Sequence, residues 1–159
     1  MNIIDYLAPE NILLDLKAQN KEDAIKEIAV LLKNKPEVTN YEIFLQDIFE
    51  REKLASTGIG NEVALPHART DAVEDFVIAF GRSKKGIDFD SIDGKKAKLV
   101  FVMGTPQKKG LKLYLRILAH INRLLKKEAF RASLMDASNF KDIINTFSQI
   151  EKDVSYALK

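Results

Sequence analysis

The stretch "STGIGNEVALPHARTD", Ser56 to Asp71, sets one of the chain's two histidines behind a proline and a pair of glycines. Pro66 fixes its own φ and restricts Leu65 to extended conformations, so the direction in which His67 leaves the preceding segment is narrowly defined. An imidazole held this way is a usable nucleophile near neutral pH, provided its second nitrogen keeps a proton in a hydrogen bond to a carbonyl or carboxylate. Gly58 and Gly60 allow positive φ and close approach to backbone amides, and successive amides can form an anion-binding nest. The plain alternatives are a glycine-rich turn and a histidine that merely ends a strand.

Several chemistries are excluded by residue type. Cysteine is absent, which removes disulfides, thiolate catalysis and Cys-ligated metals. A metal site would have to rest mainly on carboxylates, since the chain has two histidines and a site needs about three convergent ligands. No G-x-S-x-G elbow is present for hydrolysis. Val63 stands where a dinucleotide fingerprint needs its third glycine, and no Gly-Lys-Ser/Thr follows for a P-loop. Direct attack of His67 on phosphorus remains open. It would produce a phosphohistidine whose charge amides, a hydroxyl and a guanidinium could offset. Thr57 supplies such a hydroxyl, and Arg51 a planar fork that can hold two phosphate oxygens. The competing reading of "EREK", Glu50 to Lys53, is a solvated helix end. Without a nucleotide-binding motif, the phosphoryl donor would be another protein carrying an energised phosphate.

The elements around this segment read as alternating strands and helices. Ile12 to Leu16 suggests a first strand. Asn20 caps a helix with Ile25, Ile28, Ala29 and Leu32 on one face, closed by Lys33 to Pro36. Thr39 with Glu42 reads as a capping box for a second helix running to about Arg51 or Lys53. Val63 to Leu65 and Phe76 to Phe80 follow as strands, then a connection with a turn at Asp93-Gly94, and a strand from Leu99 to Met103. A loop from Thr105 to Gly110 leads to a long amphipathic helix from Leu111 to Leu125. "EAFRASLMDA" suggests a shorter helix, and Phe140, Ile143, Ile144 and Phe147 mark the last. This interleaving predicts a three-layer α/β/α domain with a central mixed β-sheet. The 159 residues, 46% of them hydrophobic, suit a single domain over the whole chain, residues 1–159.

Charge is nearly balanced, 25 Lys and Arg against 23 Asp and Glu, which argues against nucleic acid or an anionic membrane as the main partner. No basic leader and no long apolar run appear, so a cytoplasmic protein with no membrane insertion is expected. No metal or organic cofactor is called for. His120 has Arg116 and Arg123 at i−4 and i+3, which predicts a solvated, basic face.

"REKLASTGIGNEVALPHAR" closely resembles the active-site signature of the fructose/mannitol-type enzyme IIA domains of the bacterial phosphoenolpyruvate phosphotransferase system, a family that includes free-standing nitrogen-regulatory members. Arg51, Glu52, Lys53, Thr57, Gly58, Gly60, Pro66 and His67 all sit in register, and the likeness continues through "GIDFDSIDGKKAKLVFVMGTP" and the leucine-rich helix. The resemblance implies a phosphoryl carrier that accepts phosphate from phospho-HPr on His67, with Arg51 stabilising charge and Thr57, Gly58 and Gly60 binding the phosphate. It implies transfer onward to an enzyme IIB, or use of the phosphorylation state to control regulatory target proteins. It also implies a shallow, apolar-ringed cleft around the histidine. Many such proteins carry a second histidine near the start of the long helix, where this chain has Tyr114. A tyrosine can hydrogen-bond a phosphoryl group but cannot supply an imidazolium charge. That difference keeps a second function in view, a phosphorylation-independent regulatory protein-binding module on the same fold. The closeness of both chain ends to the domain limits leans toward a free-standing regulator.

Overall fold

The structure, a computed structural model, describes residues 2–157, and side-chain surroundings through Val154. Six strands form one mixed sheet: β1 (Ile12–Leu13), β2 (Gly58–Gly60), β3 (Val63–Ala64), β4 (His67–Thr70), β5 (Val77–Ile87) and β6 (Ala97–Pro106). The spatial order is β1-β5-β6-β3-β2, with β4 also on β6. The hairpin partners β5 and β6 are antiparallel, and β3 and β4 both run parallel to β6. Because β3 pairs Val63 with Leu99 and β4 pairs His67 with Met103, the register offset is unchanged across Leu65-Pro66. β3 and β4 therefore run as one interrupted strand along β6, broken only where proline has no N–H to give the ladder.

Helices cover both faces, as the expected three-layer arrangement requires. Leu99, Phe101 and Met103 of β6 join the cluster containing Ile117, Ile121, Phe130, Leu134 and Phe147. These last residues belong to α3 (Leu111–Leu125), α4 (Glu128–Asp136) and α5 (Phe140–Ala157). The alternate residues Val100 and Val102 join Ile25, Ile28, Phe44 and Ile48 from α1 (Lys21–Ala29) and α2 (Tyr41–Leu54). The period-2 pleat thus sends successive side chains into two separate cores. Phe80 stacks on Phe101 at 4.7 Å, and Phe147 meets both Phe101 at 6.0 Å and Phe130 at 5.0 Å, joining the sheet to α4 and α5. Gly104 leaves room for Phe44, whose ring would stand 2.6 Å from any added Cβ, so α2 presses close to β6.

Several boundaries differ from the sequence reading. The first strand is only two residues long, and Leu16 instead reaches the Arg82 carbonyl through its amide at 2.9 Å. Asn20 caps α1 by accepting from the Asp23 amide at 2.8 Å. The cap of α2, however, is Asn40, which accepts from Ile43 at 3.2 Å, while the Thr39 hydroxyl donates to Ala72 at 3.0 Å. Two adjacent residues were both good caps, and an isolated antiparallel bridge between Val38 and Val73 decides between them by drawing Thr39 toward Ala72. Strand β5 continues well past Phe80, and Thr105-Pro106 extends β6 instead of opening a loop. Both extensions follow from the hairpin and from the β4 ladder, which are long-range pairings.

Gly58 to Gly60 is a strand that turns back through Asn61 and Glu62 into β3. Asn61 and Glu62 have φ of 55° and 66°, the condition for a two-residue hairpin whose twist matches its strands. Asn adopts this region readily, whereas Glu carries strain there of about 1–2 kcal/mol. Its half-exposed ion pair with Lys98 at 3.1 Å offsets little of that. Substituting Glu62→Gly removes that strain and is expected to leave unfolding stability level or raise it, while Glu62→Val, whose β-branched side chain suits positive φ less well still, lowers it, as read by urea denaturation.

Candidate active site

His67 opens β4 on the face of the sheet that α3 covers, because its pleat position matches that of Val63 and Leu65. The residue is 7% exposed. Its Nδ1 lies 2.5 Å from the Leu65 carbonyl oxygen. A carbonyl can only accept, so Nδ1 carries the proton and Nε2 presents its lone pair. That lone pair faces the Tyr114 hydroxyl at 2.8 Å, which donates to it. The two rings are tilted, with centroids 5.7 Å apart.

Burial pushes the imidazole pKa below the usual histidine range, the bond to Leu65 opposes this, the nearby Arg51 charge lowers it further, and Glu52 raises it. The balance is a neutral ring at neutral pH with a fixed tautomer. The group arrives in the form a nucleophile needs.

Arg51 and Glu52 end α2 with different partners. Arg51 donates from Nη1 to the Ala55 carbonyl at 3.0 Å, and it reaches His67 through its charge, not through a hydrogen bond. Glu52 is 8% exposed. Its carboxylate accepts from the Thr57 amide at 2.9 Å, the Thr57 hydroxyl at 2.6 Å and Lys21 Nζ at 3.1 Å. Lys21 in turn reaches Asp90 at 3.5 Å and lies over the Phe89 ring. Both Thr57 donors are thus spent on organising the turn between α2 and β2.

Gly58 donates its amide to Ser56 Oγ at 3.0 Å, and the Ser56 hydroxyl donates to the Phe89 carbonyl. A Cβ on Gly58 would collide with the Ser91 hydroxyl and stand 3.0 Å from Ser91 Cα. Gly60, at φ 93°, faces the Asp93 carboxylate. The two glycines let the β5–β6 connection pack onto β2, a role separate from any contact with phosphate.

Glu52 stood in the quoted signature without a role of its own, and its burial departs from the competing reading of "EREK" as a solvated helix end. The signal was available: Phe44, Ile48 and Glu52 recur at i, i+4 and i+8, and all three are buried. The Leu65 carbonyl could not have been found this way, since a backbone oxygen carries no residue-type signature.

His120 differs from its expected solvated setting. Its Nε2 lies 2.7 Å from Glu151 Oε2, with the imidazole side chain only 16% exposed. Glu151 is buried and also accepts the amides of Ile3 at 2.7 Å and Ile4 at 2.8 Å. The flanking arginines reported one side of α3, while α5 closes over the other. His120 therefore ties α3 to α5 through Glu151, which also holds the N-terminal segment, and Tyr114 is the α3 residue that meets His67.

Among the described residues no helix is long and apolar enough to cross a membrane. Residues 5–150 match the family described as phosphoenolpyruvate-dependent sugar phosphotransferase system, EIIA 2. A fructose-specific EIIABC component of Bacillus subtilis is 35% identical over 152 residues, 96% of this chain, which spans only 24% of that longer relative. A fructose-specific EIIA component of Haloferax volcanii is 36% identical over 89% of this chain and 91% of its own length. The crystal structure of nitrogen regulatory protein IIA-Ntr from Neisseria meningitidis superposes with a TM-score of 0.82 at 29% identity, covering 91% of this chain and 98% of that one.

Two outcomes test this geometry. The His67 ring should titrate by NMR with a midpoint below about 6.5, the value of an unperturbed histidine, with nitrogen shifts of an Nδ1–H tautomer throughout the neutral range. Since the folded pKa is depressed, the unfolded chain binds the proton first, so stability present above the unfolded pKa is lost as pH falls toward the folded value. Separately, Gly58→Ala should cost about 1–3 kcal/mol of unfolding stability through overpacking against Ser91.

Proposed function

Because the chain belongs to the EIIA 2 family of the phosphoenolpyruvate-dependent sugar phosphotransferase system, we propose that it is a histidine phosphoryl carrier with His67 as its nucleophile. The observation that carries this reading is the bond from His67 Nδ1 to the Leu65 carbonyl, which leaves the Nε2 lone pair to attack. Phospho-HPr is the donor. Its phosphorus–nitrogen bond breaks with the electron pair returning to the donor ring, while a bond from His67 Nε2 to phosphorus forms and Nδ1 keeps its proton. The ring becomes cationic on transfer, and the Leu65 carbonyl then stabilises that charge.

Arg51 offsets the dianionic phosphoryl group electrostatically, in keeping with its charge acting on His67 in the resting protein. Thr57, with Gly58 and Gly60, borders the phosphate site. Its hydroxyl acts through Glu52, holding the turn that aims Arg51. Tyr114 covers Nε2 at rest and is displaced when phosphorus arrives. Leu111 and Leu115, each 52% exposed, flank Tyr114 and present the apolar rim against which a partner can exclude water.

The acceptor is an enzyme IIB or a regulatory target protein. The first choice draws support from the EIIABC arrangement named for the Bacillus relative, the second from the nitrogen-regulatory Neisseria structure. Residues 1–159 act as one enzyme IIA unit in the cytoplasm. Tyr114 favours a second reading, a phosphorylation-independent regulatory module, because its hydroxyl occupies the nucleophile's lone pair.

Incubation with phosphoenolpyruvate, enzyme I and HPr should produce an acid-labile, base-stable mass increase of one phosphoryl group. His67→Ala should abolish it, and Arg51→Ala should slow its appearance by about 100-fold, the loss typical of removing one charge-stabilising donor. A wild-type chain that never takes up phosphate, yet retains its partners with and without His67, would favour the regulatory module.

A further inference from the structure

Thr105 is 4% exposed, and among the described residues its hydroxyl has no hydrogen-bond partner. It sits on β6 opposite Arg69, one step of the pleat beyond the pair His67 and Met103. Gly104 faces Phe44 of α2, so the alternation of the strand turns Thr105 to the opposite face, the one that carries His67 and lies under α3. A buried hydroxyl left unpaired lowers the stability of the resting fold, and nothing in the packing of the core explains why this position is not valine.

The beginning of α3 lies on this same face. Gly110, at φ 84°, precedes Leu111, and no side chain caps the helix. The first-turn amides of this 15-residue helix therefore point outward with the positive end of its dipole, an arrangement suited to an anion. Tyr114 is the fourth helical residue. Helical side chains lean toward the N-terminus, which brings its hydroxyl back to His67 Nε2 and places that nitrogen beside the uncapped turn. The unpaired donor, the uncapped helix end and the nitrogen that would carry phosphorus thus share one face of the sheet.

We infer that the phosphoryl group on His67 is held by the Thr105 hydroxyl together with the uncapped first-turn amides of α3, with the Tyr114 hydroxyl passing from Nε2 to a phosphoryl oxygen. This assignment rests on His67 being the phosphoryl acceptor. Thr105 is then a phosphate-binding residue whose donor is idle in the resting chain and satisfied only in the phosphorylated one. Its removal affects the two states in opposite directions.

The test is the equilibrium partition of phosphate between HPr and this chain, measured by intact-protein mass spectrometry with limiting phosphoenolpyruvate and enzyme I. Partition at equilibrium is independent of how fast the partners dock. Thr105→Val is expected to shift it toward HPr by about tenfold, the effect of losing one hydrogen bond to a charged group, while the unphosphorylated melting temperature stays level or rises. Thr105→Ser should restore the wild-type partition. An unchanged partition in Thr105→Val overturns the inference, and so does a lowered melting temperature, which would reveal a partner for the hydroxyl in the resting fold. If the wild-type chain takes no phosphate at all, the carrier function itself fails, an outcome distinct from failure of Thr105 alone.

Discussion

The parallel register that β3 and β4 keep along β6 across Pro66 is the constraint on which the site depends. Val63 opposite Leu99 and His67 opposite Met103 leave Leu65 between them, with its N–H and carbonyl both directed away from β6. The amide finds the Thr57 carbonyl at 3.0 Å, and the carbonyl finds His67 Nδ1. The Pro66 carbonyl points the other way and accepts the Met103 amide at 3.0 Å. A slip of one residue would turn His67 toward α2 and Ala68 toward α3, exchanging every side chain between the two cores.

That register also divides the work of the site between the two helical layers. From one side, α2 contributes charge: Arg51 at its end and Glu52 anchoring the following turn to Lys21 and Thr57. From the other, α3 contributes Tyr114 and an open helix end. His67 stands at the start of a strand, where the Arg51 charge from α2 and the Tyr114 hydroxyl from α3 both act on one ring. Its burial keeps the ring neutral and its hydrogen bonds to Leu65 and Tyr114 fix the tautomer. The Glu151 contacts with Ile3, Ile4 and His120 brace the back of α3 against α5, which keeps the front of that helix in place over His67.

Tyr114 gives this carrier a different electrostatic character from a paired-histidine site. Its hydroxyl both donates and accepts hydrogen bonds, whereas the charge that acts on His67 comes from Arg51 and Glu52. Exposed apolar side chains at Leu111 and Leu115 stand beside it at the start of α3.

The sequence by itself determined the layer architecture, the helix faces and the pairing of a proline-set histidine with a family signature, because periodicity and motif spacing are local properties of the chain. Asn20 as a cap, the extent of α3, and helices on both faces of the sheet were all legible in this way. Tertiary structure alone decided which of Thr39 and Asn40 caps α2, how far β5 and β6 extend, that His120 meets Glu151, and that Thr57 spends its donors on Glu52. It also decided the chemistry of His67, since the proton on Nδ1 is held by a backbone oxygen. Backbone groups look alike in every sequence, and only the register of distant strands brings one of them to a particular ring.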